Sequence, residues 1–250
     1  MAEVLFFPDG GYRFIRGVFQ YSAGVAAQPG FEIERVRFFR PLPLAEGFQA
    51  IRGHLDRRGR SLTALCACEL RSPAPVSEAG FSAFNALYVD QLKAWNIYRN
   101  DVNPVARSNV CPAKFPPSEP SIYAFSYTVP AGSGGRGTFV VAGSSEVAEG
   151  KASYRDHAVR LGDVSADGIR EKACWTLQEM ERRMSALGFG WGDSTALQLY
   201  TVHDTWPFLE KEMAERGAIL AGLTWHFARP PVIDLEYELD TRAVFREFVL

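Results

Sequence analysis

Two stretches of this chain set out the same series of elements in the same order, and that doubling limits the possible folds more than any other feature. In the second stretch, Ile169, Ala173, Leu177, Met180, Met184 and Leu187 recur at spacings of three and four, which predicts a helix over 165–187 with one apolar stripe. Ser165 or Asp163 caps its start and Gly188 stops it. Before it, "GTFVVAGSSEV" reads as a strand ending in a Gly-rich turn. After it come the strand "TALQLYTVHD" and a second helix, "TWPFLEKEMAERGAIL", with Trp206, Leu209 and Met213 inward. The strands "AGLTWHFA" and "VIDLEYELD" follow, separated by "RPP". The first stretch repeats the series. "YRFIRGVFQYSAGVAA" is strand and turn, "LPLAEGFQAIRGHLDRRG" a helix, "SLTALCACELR" a strand and "GFSAFNALYVDQLKAW" a helix; "VARSNVC" and "SIYAFSYTV" are strands flanking a Pro-rich break. Gly24 corresponds to Gly143, Leu65 to Leu197 and Ile122 to Leu235. The expectation is an α+β fold of two tandem β-β-α-β-α-β-β units, residues 1–130 and 131–250. Each has its helices on one face of a mostly antiparallel sheet, and "PAGSGGRG" at 130–137 is the flexible link.

Bulk properties exclude several classes. The 250 residues are 47% hydrophobic and 22% charged with a net charge of -2, which gives no electrostatic footprint for nucleic acid or a membrane surface. The start lacks a signal-peptide pattern and no apolar run is long enough to span a bilayer, so the expected place is the cytoplasm. Four cysteines (Cys66, Cys68, Cys111, Cys174) and four scattered histidines match neither a disulfide framework nor a metal site, and Cys111 reads as a buried structural thiol. No GxSxG elbow or phosphate loop occurs, "GSGGRG" included, and no cofactor is called for.

One residue raises a chemical question. In "NPVARSNVCP", Arg107 stands in a stretch that otherwise reads as a half-buried strand. A guanidinium is always ionised and offers a planar fork of donors, so burial demands an answering acid, either a structural ion pair or the carboxylate of a ligand. Asn109, two residues on, shares its face and could hydrogen-bond the same ligand.

Here the motifs bear on family. "VVAGSSEV" and "YSAGVAA" are similar to the strand-Ser-Gly turn of the reactive intermediate deaminase (RidA/YjgF) family. "NPVARSNV" resembles that family's Pro-Ala-Arg-Ser strand, and the run from "DVSADGIREKACW" to "LQLYTVHD" follows its helix, "GD" turn and strand. Over both halves the chain resembles a tandem member of this superfamily, with its chorismate-mutase-like fold. The resemblance implies a homotrimer with pockets between subunits and a small carboxylate-bearing metabolite as partner. It implies that Arg107 binds the carboxylate, that Gly24 and Gly143 (with Ser144 nearby) shape the pocket rim, and that a last-strand glutamate, aligned with Glu236, positions water. His226 stands on the strand where the second half lacks the arginine and is a second candidate for acid-base work. Glu238 shares the face of Glu236 by alternation and is weighted lower. His203 and Asp204 read as a strand end and a helix cap. The expected activity is cofactor-independent hydrolysis of an enamine or imine acid of the 2-aminomuconate type, releasing ammonia. A chorismatase-like hydrolase or lyase, or a non-catalytic metabolite binder, stands as the alternative on the same fold.

Overall fold

The computed structural model describes residues 2–132, 136–151 and 153–250, so Ser133 to Gly135 of the link lie outside the described residues. Among the described residues thirteen strands form two sheets. They are β1 (Val4–Phe7), β2 (Tyr12–Ile15), β3 (Gly24–Ala27), β4 (Phe31–Pro43), β5 (Leu65–Arg71), β6 (Ala106–Pro112), β7 (Ser121–Pro130), β8 (Phe139–Ser145), β9 (Ala196–Tyr200), β10 (Leu223–His226), β11 (Ala228–Arg229), β12 (Glu238–Ala243) and β13 (Glu247–Val249). One sheet runs β1-β2-β3-β8-β12-β9-β10 and the other β11-β6-β5-β7-β4-β13. Pairing is antiparallel except for β5–β6, β9–β10 and β4–β13. Strands therefore cross between the halves of the chain: β3 pairs with β8, while β11 and β13 complete the sheet of the first half.

Helices α1 (Leu44–Arg57) and α2 (Glu78–Ala94) cover the second sheet, and α3 (Ala166–Leu187) covers the first. The stripe read for α3 is buried at all six positions. Ser165 caps this helix by accepting from the Gly168 amide at 3.1 Å, and Gly188 ends it at φ +82°. The same cap opens α2, where Ser77 accepts from Gly80 at 3.2 Å. No helix among the described residues is long and apolar enough to cross a membrane.

Two expectations need correction. "TWPFLEKEMAERGAIL" is not a regular helix: one turn at Trp206–Phe208 widens into a π-helical stretch, Leu209–Ala214, and the chain then turns at Gly217 with φ +79°. The stretch read as the strand "VIDLEYELD" forms a ladder only from Glu238 onward. Asp234 sits at φ +75°, a conformation no strand accommodates, and the peptides of Glu236 and Tyr237 bond instead to a side chain. Strands β1, β4 and β13 are additions to the series read from the sequence.

Between the two sheets lies a polar layer. Arg35 grips Glu69 with two bonds of 2.6 and 2.9 Å, and Gln198 from the opposite sheet reaches both Glu69 (3.3 Å) and Asp240 (2.8 Å). Asp240 also accepts from Ser108 at 2.6 Å and Tyr200 at 2.8 Å. Such groups are tolerated only when paired, so their mutual geometry holds the sheets in one alignment. The apolar cores lie on the outer faces, under the helices. Replacing Leu177, fully buried on the inner face of α3, by Ala is expected to lower the unfolding free energy by about 2–5 kcal/mol in urea denaturation. Leu87→Ala on the exposed face of α2 should stay within about 0.5 kcal/mol of the parent protein.

Candidate active site

Where β6 meets β8, a cavity with about 40 Å³ of enclosed space opens between the sheets, α2 and the segment ahead of β12. Arg107, Asn109, Gly143, Ser145 and Glu238 form its polar wall; Phe81, Val147, Val232 and Leu235 form an apolar one. Tyr21, Glu149 and Tyr154 stand at the side.

Arg107 is 3% exposed, and its answering group is not an acid. Its Nη1 donates to Asn85 Oδ1 of α2 at 2.7 Å, and its Nε has no hydrogen-bond partner among the described residues. Three rings surround the guanidinium, those of Tyr88, Tyr21 and Phe81, with centroids at 5.0, 5.2 and 5.5 Å. Among the described residues it forms no ion pair. The strand presents Asn109 on the same face. Ser72 donates its hydroxyl to Asn109 Oδ1 at 3.0 Å, and Nδ2 has no partner among the described residues.

Glu238 supplies the acid. It begins β12, pairs with Ser145 on one side and Tyr200 on the other, and is 4% exposed. Gly143 makes room for it: a Cβ at that position would overlap Glu238 Oε1. Burial pushes the Glu238 carboxyl up to about 8, with the charge of Asp240 adding to it. The Ser145 hydroxyl, 3.1 Å from Oε2, and the guanidinium groups of Arg107 and Arg71 oppose that rise without cancelling it. A buried ion pair fixes the chain just ahead. Glu146 accepts from Lys172 at 3.1 Å and from the amides of Glu236 and Tyr237 at 2.8 and 3.0 Å, so α3 sets where β12 begins.

The cavity thus gathers Arg107, Asn109, Gly143 and the lower-weighted Glu238 of the residues considered in the sequence, and leaves Glu236, His226, Ser144 and Gly24 elsewhere. Glu236 points away, into an ion pair with Arg229 and a 2.8 Å contact with His203 Nε2. The alternation that equated it with Glu238 does not hold, because the ladder starts after it. His226 is stacked on the Tyr200 ring at 5.0 Å and bonded to Gln198 Oε1 at 3.1 Å. Burial, with the charge of Arg71, lowers it to about 4, so it is a neutral structural ring near pH 7. Ser144 faces α3, where Arg183 donates to its hydroxyl at 3.2 Å, since neighbours on a strand point oppositely. Gly24 packs against the Val140 carbonyl and Leu187, a close approach of β3 to α3 rather than a rim. Cys111 is a buried thiol pushed up to about 12, chiefly by burial. Sequence reading passed over Asn85, Ser72 and Glu149; the signal within reach was that Ser145 shares the face of Gly143 by alternation.

The raised Glu238 carboxyl has a consequence for stability. Between the ordinary glutamate value of about 4.3 and about 8, the folded protein holds a proton that the unfolded chain has released. Stability therefore falls as pH rises through that window and levels off above it. In Glu238→Gln this contribution vanishes, so its denaturation midpoint should gain on the wild type between pH 5 and 8. Parallel pH curves for the two proteins would contradict the assignment.

Comparison with known proteins gives a consistent picture. A family model described as 2-aminomuconate deaminase CnbZ matches residues 4–248. A curated 2-amino-5-chloromuconate deaminase of Comamonas testosteroni is 51% identical over 251 residues, covering 100% of each chain. Among solved structures, a chorismatase superposes with a TM-score of 0.52 at 11% identity over 97% of this chain and 79% of its own, a likeness of fold alone. The E. coli YjgF gene product matches 47% of this chain and 94% of its own at 22% identity and a TM-score of 0.31. With a full-length family match and half of its residues shared with a deaminase, the chain belongs to the 2-aminomuconate deaminase family.

Proposed function

We propose that the cavity at Arg107 is where this deaminase hydrolyses an amino-diene diacid of the 2-aminomuconate type, with Glu238 moving the protons. The observation that carries the reading is that a guanidinium without an acid partner and a carboxyl raised to about 8 share one buried wall. Such a pair suits a substrate that brings its own carboxylate and needs a proton near neutral pH.

Arg107 takes the carboxylate next to the amino-bearing carbon, and Asn109 hydrogen-bonds the bound acid. The Glu238 carboxyl gives its proton to a carbon of the diene, and the nitrogen lone pair moves inward to form an iminium. Water adds to the iminium carbon while the Glu238 carboxylate takes its proton. The same carboxyl protonates the nitrogen of the carbinolamine. Ammonia then leaves as the C–N bond breaks, and the hydroxyl proton returns to Glu238 as the ketone forms. One water is consumed, one ammonia is released and the glutamate ends protonated. The apolar wall of Phe81, Val147, Val232 and Leu235 suits the diene carbons and keeps bulk water from the iminium.

The same reading takes residues 1–130 and 131–250 as tandem repeats that exchange edge strands, and the chain as a cytoplasmic homotrimer. Likeness of its motifs to the reactive intermediate deaminases supports this. Light scattering reads the subunit number, and a monomer would remove that part of the reading.

Glu238→Gln is expected to cut ammonia release from 2-aminomuconate by about 10² or more with KM little changed. Because the protonated form starts the reaction, wild-type kcat/KM should fall as pH rises through about 8. Ser145→Ala, which removes a hydrogen bond favouring the ionised form, should move that limb upward. Full activity in Glu238→Gln would sink the reading.

Gly143→Ala tests the geometry separately. The added methyl displaces the carboxylate from the wall, and a loss of kcat approaching that of Glu238→Gln is expected in a protein that still unfolds cooperatively. Unchanged kcat would mean the acid works from some other position.

A further inference from the structure

Arg107 is the one cationic side chain among the described residues on the cavity wall, yet a diacid has two carboxylates to place. Glu149 also borders the cavity, but it is an acid already engaged by Tyr21 at 2.8 Å and Arg183 at 2.8 Å and offers the second carboxylate no donor. The Ser145 hydroxyl is already given to Glu238. Besides Arg107, the side-chain nitrogen on this wall is Asn109 Nδ2, buried and without a partner among the described residues. Ser72 decides which end of that amide faces the cavity. By donating to Oδ1 at 3.0 Å it holds the carbonyl back and leaves the NH₂ forward.

Spacing adds a second argument. Arg107 and Asn109 are alternate residues of one straight strand, so their side chains leave the backbone about 6.6 Å apart on one face. That is close to the separation of the two carboxyl carbons in an extended six-carbon diacid. Pairing with β5, Cys68 opposite Arg107 and Leu70 opposite Asn109, fixes where the two side chains leave the backbone.

We infer that Arg107 and Asn109 form a ruler for a six-carbon diacid: the guanidinium holds the carboxylate at the amino end, and the Asn109 amide, aimed by Ser72, receives the distal one. Asn109 touches substrate, whereas Ser72 is a positioning residue that acts through it. A neutral donor at the distal end binds without competing with Arg107 for the proximal carboxylate, so the two ends of the substrate are not interchangeable. This inference rests on the deaminase reading above and adds length and end selection to it.

The test is the preference of the enzyme between 2-aminomuconate and the monoacid analogue with methyl in place of the distal carboxylate, expressed as a ratio of kcat/KM values. Asn109→Ala should lower that preference about 10-fold, the effect of losing a hydrogen bond to a charged group. Asn109→Asp, close in shape to the native side chain, should lower it further by repulsion and covers the case in which the alanine variant fails to fold. Ser72→Ala should shift the ratio in the same direction by a few-fold, and Ser72→Thr, which keeps a hydroxyl, should restore it. Equal losses on diacid and monoacid, or an unchanged ratio in both Asn109 variants, would overturn the ruler. Failure of the underlying reading looks different: there Arg107→Lys and Glu238→Gln would spare turnover of both acids.

Discussion

The hydroxyl of Ser108 sits where the two sheets touch. It donates to Asp240 of β12 at 2.6 Å and accepts from the Gly143 amide of β8 at 3.1 Å. Its neighbours on β6, Arg107 and Asn109, face the other way and form the cavity wall. This one small side chain therefore bonds the strand carrying Arg107 and Asn109 to the two strands that carry Glu238 and make room for its carboxyl. Around it the polar layer of Arg35, Glu69, Gln198 and Tyr200 is paired throughout, so a slip of one sheet against the other would strand several buried groups at once. An apolar interface would hold the sheets together with less directional control.

That control matters because the cavity keeps two opposite tendencies apart. A guanidinium and a carboxylate in contact would form an ion pair, and neither would then be free for chemistry. Here Arg107 is engaged by the neutral Asn85, and Glu238 by the neutral Ser145. Arg107 still favours the ionised form of Glu238, but burial and the nearby Asp240 outweigh it, and the acid keeps its proton near neutral pH. On the function proposed above, the arrangement leaves one site for the carboxylate of the substrate and one proton for its carbon or nitrogen. The Glu146–Lys172 pair belongs to the same economy of position: a fully buried salt bridge adds little net stability, but its three donors to one carboxylate set where β12 starts.

Much of the architecture was legible in the order of elements. The stripe and both caps of α3, the arginine strand β6 and the helices α1 and α2 follow from periodicities and turn residues that local sterics impose. The resemblance of "NPVARSNV" to a deaminase strand also pointed to the arginine that the fold places on the cavity wall. The glutamate is instructive in the other direction. In "DLEYELD" a period of two makes Glu236 and Glu238 equivalent, and the turn at Asp234 together with the hold of Glu146 on the Glu236 and Tyr237 amides separates them. His226 likewise offered a titratable ring in a plausible place, and its stacking on Tyr200 is invisible until β9 and β10 are brought together.

By itself, then, the sequence determined what segments such as α1, α2, α3, β5 and β6 would become, and that a guanidinium would be placed on a strand with an amide two residues on. Both are consequences of short-range geometry, the repeat of the helix and the alternation of the strand. Which carboxyl would face that guanidinium was decided by the tertiary structure, through the crossing of strands between the halves, the glycine that lets β8 give way and the desolvation that raises Glu238. Proton affinity and contact across a sheet interface depend on neighbours distant along the chain, and no local pattern carries that information.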